Sequence, residues 1–212
     1  MFSVYTKYDP VDDPDSAIYI THEGTTYVDH GTVLYSQVEQ YGWWPPQSDL
    51  QTKFIVHLTD IEVVDTHATT AGDTYDSCFI MDLGINTLVE RSRFHNNGPV
   101  VEGSLGMAGY TIYRGHGAVP ENRPSVRFVN TEFIDNTGPN GAAVSIVDGV
   151  IDLSFDGCII RGNVATKTGG AIAFDAAASS ELRIERSIFD NNLVALAVGD
   201  VAEETTPAVV NA

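Results

Sequence analysis

Apolar side chains recur at every second position in short runs along most of this chain, with polar residues between them. Val126-Arg-Phe-Val129 and Leu182-Arg-Ile-Glu185 are runs of this kind, as are Gly109-Tyr-Thr-Ile-Tyr113 and Gly169-Gly-Ala-Ile-Ala-Phe174. A period of two is the strand signal, and turn residues separate the runs. The i, i+3, i+4 spacing of an amphipathic helix is not found, nor is the leucine ladder of a leucine-rich repeat. The pattern predicts an all-β chain built from short strands.

The strands belong to a repeat. Thr87–Asn97, Val126–Asn136, Leu153–Asn163 and Leu182–Asn192 align without gaps, and Val56–Thr66 is a weaker copy. Each carries a small or polar residue (Ser92, Thr131, Cys158, Ser187). Two positions on stands a large apolar residue (Phe94, Phe133, Ile160, Phe189), and three further an asparagine (Asn97, Asn136, Asn163, Asn192). Counting Ile61 as the first small-residue position, the copies are offset by 31, 39, 27 and 29 residues. Two or three short strands per ~30-residue period stack as coils of a parallel β-helix, in which equivalent inward residues lie over one another at the ~4.8 Å strand spacing. Phe94, Phe133, Ile160 and Phe189 are expected to form one internal column. The asparagines are expected at a sharp corner, where Asn tolerates left-handed angles and stacked amides bond from coil to coil.

The expected architecture is a right-handed parallel β-helix, a solenoid of about five coils, over residues 54–198. Residues 1–53 fall outside the period and read as an N-terminal cap or irregular first coil. Residues 199–212 read as a linker or tail. The paired motifs Phe-x-x-Asn (Phe94–Asn97, Phe133–Asn136, Phe189–Asn192) and Gly-Gly-Ala-Ile (169–172, with Asn-Gly-Ala-Ala-Val at 140–144) resemble the repeats of the polymorphic outer membrane protein family, within the pectin-lyase-like right-handed β-helix superfamily. The resemblance implies the fold. For function it leaves adhesins, surface filaments, phage tailspikes and polysaccharide enzymes, since one fold hosts many activities.

Charge narrows the partners. The 212 residues hold 11 Lys+Arg against 29 Asp+Glu, a net charge of −18. A general basic surface for a nucleic-acid backbone is excluded, and an anionic membrane would repel the chain. The hydrophobic content of 43% is that of a folded protein. No apolar run reaches the ~18 residues of a membrane span, and the first ten residues lack the pattern of a signal peptide. The acidic excess is uneven: residues 1–76 hold 13 acids and 2 bases, residues 77–212 hold 16 acids and 9 bases. Cys78 and Cys158 make no disulfide framework and read as small buried thiols.

Four groups of residues are candidates for chemistry. Asp9, Asp12, Asp13 and Asp15 supply the oxygen donors that Ca²⁺ takes, without the spacing of an EF-hand loop; a solvated acidic loop is the plainer reading, and Ca²⁺ is the one candidate cofactor. Trp43 and Trp44 suit stacking on a sugar ring or a protein interface, or covering the open end of the stack. His116, in Arg114-Gly-His-Gly117, lies in a motif also found in polygalacturonases, but the accompanying elements occur here in another order and with another charge. Arg161 is the second residue of that catalytic alternative. Arg127, Arg161 and Arg183 are set among Glu132, Asp135, Asp152 and Asp156 on outward positions, where a lyase of this fold would need acids beside a base; cross-strand ion pairs are the plainer expectation. The sequence therefore points to an extracellular or cell-surface module with a structural or adhesive role. It would meet a protein or carbohydrate partner, without nucleic acid or membrane insertion, and with end-to-end self-association into a filament or appendage. A polysaccharide lyase or glycoside hydrolase on the same fold is the alternative.

Overall fold

The computed structural model describes residues 2–8, 18–28, 34–40, 54–68, 80–82, 86–99, 110–113, 125–147, 151–175 and 180–194. Every regular element among them is a β-strand, and every strand pairing is parallel. The chain begins with β1 (Phe2–Tyr8), β2 (Ile18–Glu23), β3 (Thr26–Val28) and β4 (Leu34–Gln40). Next come β5 (Phe54–Thr59), β6 (Glu62–Val64), β7 (His67–Ala68) and β8 (Ile80–Asp82). The following repeat gives β9 (Asn86–Glu90), β10 (Arg93–His95), β11 (Gly98–Pro99) and β12 (Tyr110–Tyr113). After it come β13 (Ser125–Val129), β14 (Glu132–Ile134), β15 (Thr137–Asn140) and β16 (Val144–Val147). Then follow β17 (Asp152–Asp156), β18 (Ile159–Arg161), β19 (Val164–Thr168) and β20 (Ile172–Asp175). Last come β21 (Glu181–Glu185), β22 (Ile188–Asp190) and β23 (Leu193–Val194).

Equivalent strands of successive repeats pair side by side. One six-stranded sheet runs β1-β4-β8-β12-β16-β20, a second runs β2-β5-β9-β13-β17-β21, and a third runs β3-β6-β10-β14-β18-β22. Shorter sheets join β7 to β11, and β15 to β19 and β23. The structure is thus all-β, with parallel strands in stacked sheets, compatible with a parallel β-helix. Residues before 54 enter the same sheets: β2, β3 and β4 pair with β5, β6 and β8.

Two sharp corners flank the third sheet, and the backbone sets them. Entering it, Gly24, Asp60, Arg91, Asn130, Gly157 and Arg186 have positive φ; leaving it, Asp65, Asn96, Asp135, Gly162 and Asn191 do. This corrects the expectation for the asparagine column. The left-handed residue is the one before Asn97, Asn136, Asn163 or Asn192, and none of these four has positive φ. The side chain of the left-handed residue points outward, so Asp, Asn and Arg serve there alongside Gly. The asparagine that follows turns inward, where its amide is used.

That amide holds the corner to its neighbours. Asn97, Asn136 and Asn163 are buried. Asn136 Oδ1 accepts from the backbone N–H of Asn97 at 3.1 Å and from its Nδ2 at 3.0 Å, while Asn136 Nδ2 donates to Phe94 O at 2.9 Å. The same set joins Asn136 to Asn163 and Asn163 to Asn192. At the N-terminal side the series ends at Thr66, whose N–H donates to Asn97 Oδ1. Buried polar groups at the turn are satisfied in this way, as they must be where water is excluded.

The hydroxyl position works similarly. Ser92 Oγ accepts from Ile61 N–H and donates to Glu90 O; Ser187 Oγ accepts from Cys158 N–H and donates to Glu185 O. Cys158, buried and free, sits among these residues, and burial pushes its thiol pKa up.

The core lies between the sheets. Phe94, Phe133, Ile160 and Phe189 share one register position in the third sheet. Phe94 and Phe133 stack at 4.9 Å, and Phe133 meets Phe128 of the second sheet edge-on at 5.2 Å. Phe128 in turn stacks on Phe155 at 5.1 Å. Offset and edge-to-face geometries of this kind add to area burial. The column opens at its C-terminal end, where Phe189 is 40% exposed.

Candidate functional site

The outward faces of the second and third sheets carry the charged residues, and register decides which of them meet. At the corner entering the third sheet, Arg91 donates twice to Asp60 of the preceding repeat, at 3.0 Å for both bonds. Three repeats later the position equivalent to Asp60 is Gly157, which offers no carboxylate, and Arg186 grips the neighbouring Asp156 instead, at 2.8 and 2.5 Å. Bidentate Arg–carboxylate contacts are the geometrically specific form of ion pair. Arg161 Nε lies 3.1 Å from Asp190, and Arg183 bonds Glu185 on its own strand.

The third sheet holds a denser group. Arg93 Nε donates to Glu132 Oε2 at 3.0 Å, and its Nη1 lies 3.8 Å from Glu62. His95 Nε2 approaches the same Glu132 oxygen at 3.4 Å; that ring nitrogen is buried and makes no hydrogen bond. On the second sheet, His57 Nε2 lies 2.9 Å from Glu90 Oε2 and 2.8 Å from Thr59 Oγ1. These two histidine–glutamate groups were not singled out from the sequence. Their members stand 33 and 37 residues apart, and only the pairing of β5 with β9 and of β10 with β14 brings them together.

Electrostatics follow from the pairing. Hydrogen bonds from Arg91 hold the Asp60 carboxyl below its ordinary pKa, outweighing desolvation, and those from Arg186 do the same for Asp156. The carboxylates raise Arg91, Arg183 and Arg186 in return. A carboxyl serving as a general acid near neutral pH needs the opposite shift. The arrangement on these faces cross-links neighbouring repeats.

The residues singled out from the sequence are distributed as follows. Arg161 is exposed and paired to Asp190. His116, Trp43, Trp44, Asp9, Asp12, Asp13 and Asp15 lie outside the described residues. Among the described residues, no three His, Cys, Asp or Glu side chains are grouped to hold a metal ion, and no helix is long and apolar enough to cross a membrane. No protein-family model matches this chain, and neither curated proteins nor solved structures yield a match to it.

Proposed function

We propose that this chain is a right-handed parallel β-helix of about five coils with an N-terminal cap, of the pectin-lyase-like kind, acting as a structural or adhesive module at an extracellular or cell surface. The observation that supports it most is the unbroken register of the third sheet. Phe94, Phe133, Ile160 and Phe189 take one position, and the amides of Asn97 to Asn192 link every repeat they belong to. Such a stack is stiff along its length. Right-handed crossovers are the sense taken by parallel connections in about 98% of cases.

Segments between the strands vary in length while every third-sheet strand has three residues: β14 and β15 are separated by two residues, β12 and β13 by eleven. Recognition of a protein or carbohydrate partner falls to the long segments 67–76, 98–108 and 114–124 and to the flat strand faces. The acid-rich, lysine-poor composition keeps such a module soluble in salty surroundings.

The test is incubation with uronate polymers, following the absorbance of unsaturated products and the appearance of reducing ends, beside binding to an array of glycans and surface proteins. Saturable binding without turnover is the expected result. Turnover that disappears in His116→Ala or Arg161→Ala would overturn the reading in favour of a polysaccharide lyase or hydrolase.

A further inference from the structure

The two ends of the described stack have complementary shapes. Each repeat visits the second sheet, then the third, then a short strand, and then the first sheet. The N-terminal end starts one step early: β1 lies at the edge of the first sheet, ahead of β2 and β3 at the edges of the second and third. At the C-terminal end the last described strand of the first sheet is β20, followed by β21, β22 and β23. The repeat begun by β21 is thus described without its first-sheet strand, and β1 is the edge strand of the first sheet among the described residues.

The hydrogen-bonding groups at the ends match as well. Between repeats, the N–H after the hydroxyl position donates back to that position's carbonyl: Glu62 N–H to Thr25 O, Arg93 to Ile61, Glu132 to Ser92, Ile159 to Thr131 and Ile188 to Cys158. Each left-handed residue at the corner entering the third sheet donates forward: Gly24 N–H to Thr59 O, Asp60 to Glu90, Arg91 to Val129, Asn130 to Asp156 and Gly157 to Glu185. Continued past the last repeat, these series leave Arg186 N–H and Ser187 O facing the open C-terminal edge. Before the first repeat they leave Glu23 O and Thr26 N–H facing the open N-terminal edge. The hydroxyls fit too. Thr25 Oγ1 donates to Glu23 O, the bond that Ser92, Thr131 and Ser187 make, yet no described residue donates to it. Ser187 N–H, by the same series, has no later hydroxyl to donate to among the described residues.

We infer that the open C-terminal edge takes the N-terminal edge of a second copy of this chain, head to tail. The inference rests on the reading of the chain as a stacked β-module. In the joint, β20 pairs with the partner copy's β1, β21 with its β2 and β22 with its β3, all parallel. Ser187 N–H donates to Thr25 Oγ1 of the other copy, Arg186 N–H to its Glu23 O, and its Thr26 N–H to Ser187 O. Phe189 is then covered, with Tyr27 at the next register position of its column. Unpaired edges recruit other strands, and a head-to-tail contact with no closing rotation builds a filament. The charge of −18 per copy opposes the joint, so salt favours it.

Sedimentation velocity tests this with two variants that each block one end. Thr26→Pro removes the N–H at the N-terminal edge, where an edge strand tolerates proline. Phe189→Lys puts a charge at the C-terminal edge. In about 1 M salt, where the screening length falls to about 3 Å, the wild type is expected to form a concentration-dependent series of oligomers. Each variant alone loses every species above monomer. An equimolar mixture of the two gives a dimer and nothing larger, because one open end of each kind remains. Oligomers of either variant alone, or a mixture that stays monomeric, overturn the inference. Should either variant fail to fold, the wild type still decides: a monomer at every concentration in 1 M salt overturns it. Circular dichroism and melting on the same samples separate the two readings. A monomer with a β spectrum and a cooperative melt removes the joint and leaves the module, whereas a chain without that spectrum removes the module itself.

Discussion

At the scale of single residues, the buried amides carry more than their size suggests. Asn136→Ala deletes one carbonyl acceptor and one amide donor, leaving Asn97 N–H and an Asn97 Nδ2 proton without partners in the interior and removing the Asn136 bond to Phe94 O. At 1–3 kcal/mol for each buried group so left, the loss is expected to be at least about 2 kcal/mol. The urea midpoint measures it, with Asn192→Ala at the open end as the milder comparison. Cys158 offers a second handle. Its folded pKa is raised, so the stability that comes from keeping the thiol protonated is complete below the ordinary value of 9.0 and is lost as pH rises through the folded value. Cys158→Ser, which installs the residue found at the equivalent positions 92 and 187, is expected to remove that alkaline decline. The measurement is unfolding free energy between neutral and alkaline pH. Asp60 and Asp156 work in the other direction. Their folded pKa values are lowered, so their contribution is present above the unfolded value of 3.8 and vanishes as pH falls through the folded one. The difference between wild type and Arg186→Gln is therefore expected to be constant near neutrality and to close in acid.

At the scale of elements, the strands were legible in the sequence, whereas of the corners only the one that the asparagines follow was legible, and that to within a residue. Strands announce themselves because inward and outward residues differ in polarity, and the parallel class followed from their recurrence at about 30 residues. A corner is a backbone event: Asp60, Arg91, Asn130, Gly157 and Arg186 take one conformation with side chains that share no chemistry. The ion pairs were illegible for a related reason. Which acid meets Arg91 or Arg186 depends on the register between repeats of unequal length, and a shift of one residue would send every side chain to the opposite face. The first 40 residues were hard to place because they carry no Phe-x-x-Asn signature, although β2, β3 and β4 enter the same sheets. The corner geometry predicts a contrast. Arg91→Val, a β-branched residue forced to φ 47°, is expected to cost about 1–3 kcal/mol. Arg91→Gly is expected to stay within about 1 kcal/mol of wild type, since relief of left-handed strain offsets the loss of an exposed ion pair. Thermal unfolding of the two variants checks the order.

At the scale of the whole molecule, order should grade along the stack. Phe94, Phe133 and Ile160 are sealed between neighbours, whereas Phe189 and Leu193 are 40% and 60% exposed. Native-state hydrogen exchange is expected to show the slowest amides in β10, β14 and β18 and the fastest in β22 and β23. The shared register also bears on how such a chain changes over generations. Because each repeat hands the backbone on at the same position, removal of residues 125–151 in a gene would set Phe94 beside Ile160 and Asn97 against Asn163, restoring both the column and the amide bonds. Duplication of that stretch would extend them equally well. Length in this protein is therefore open to inheritance by whole repeats, each gain or loss arriving already folded into its neighbours.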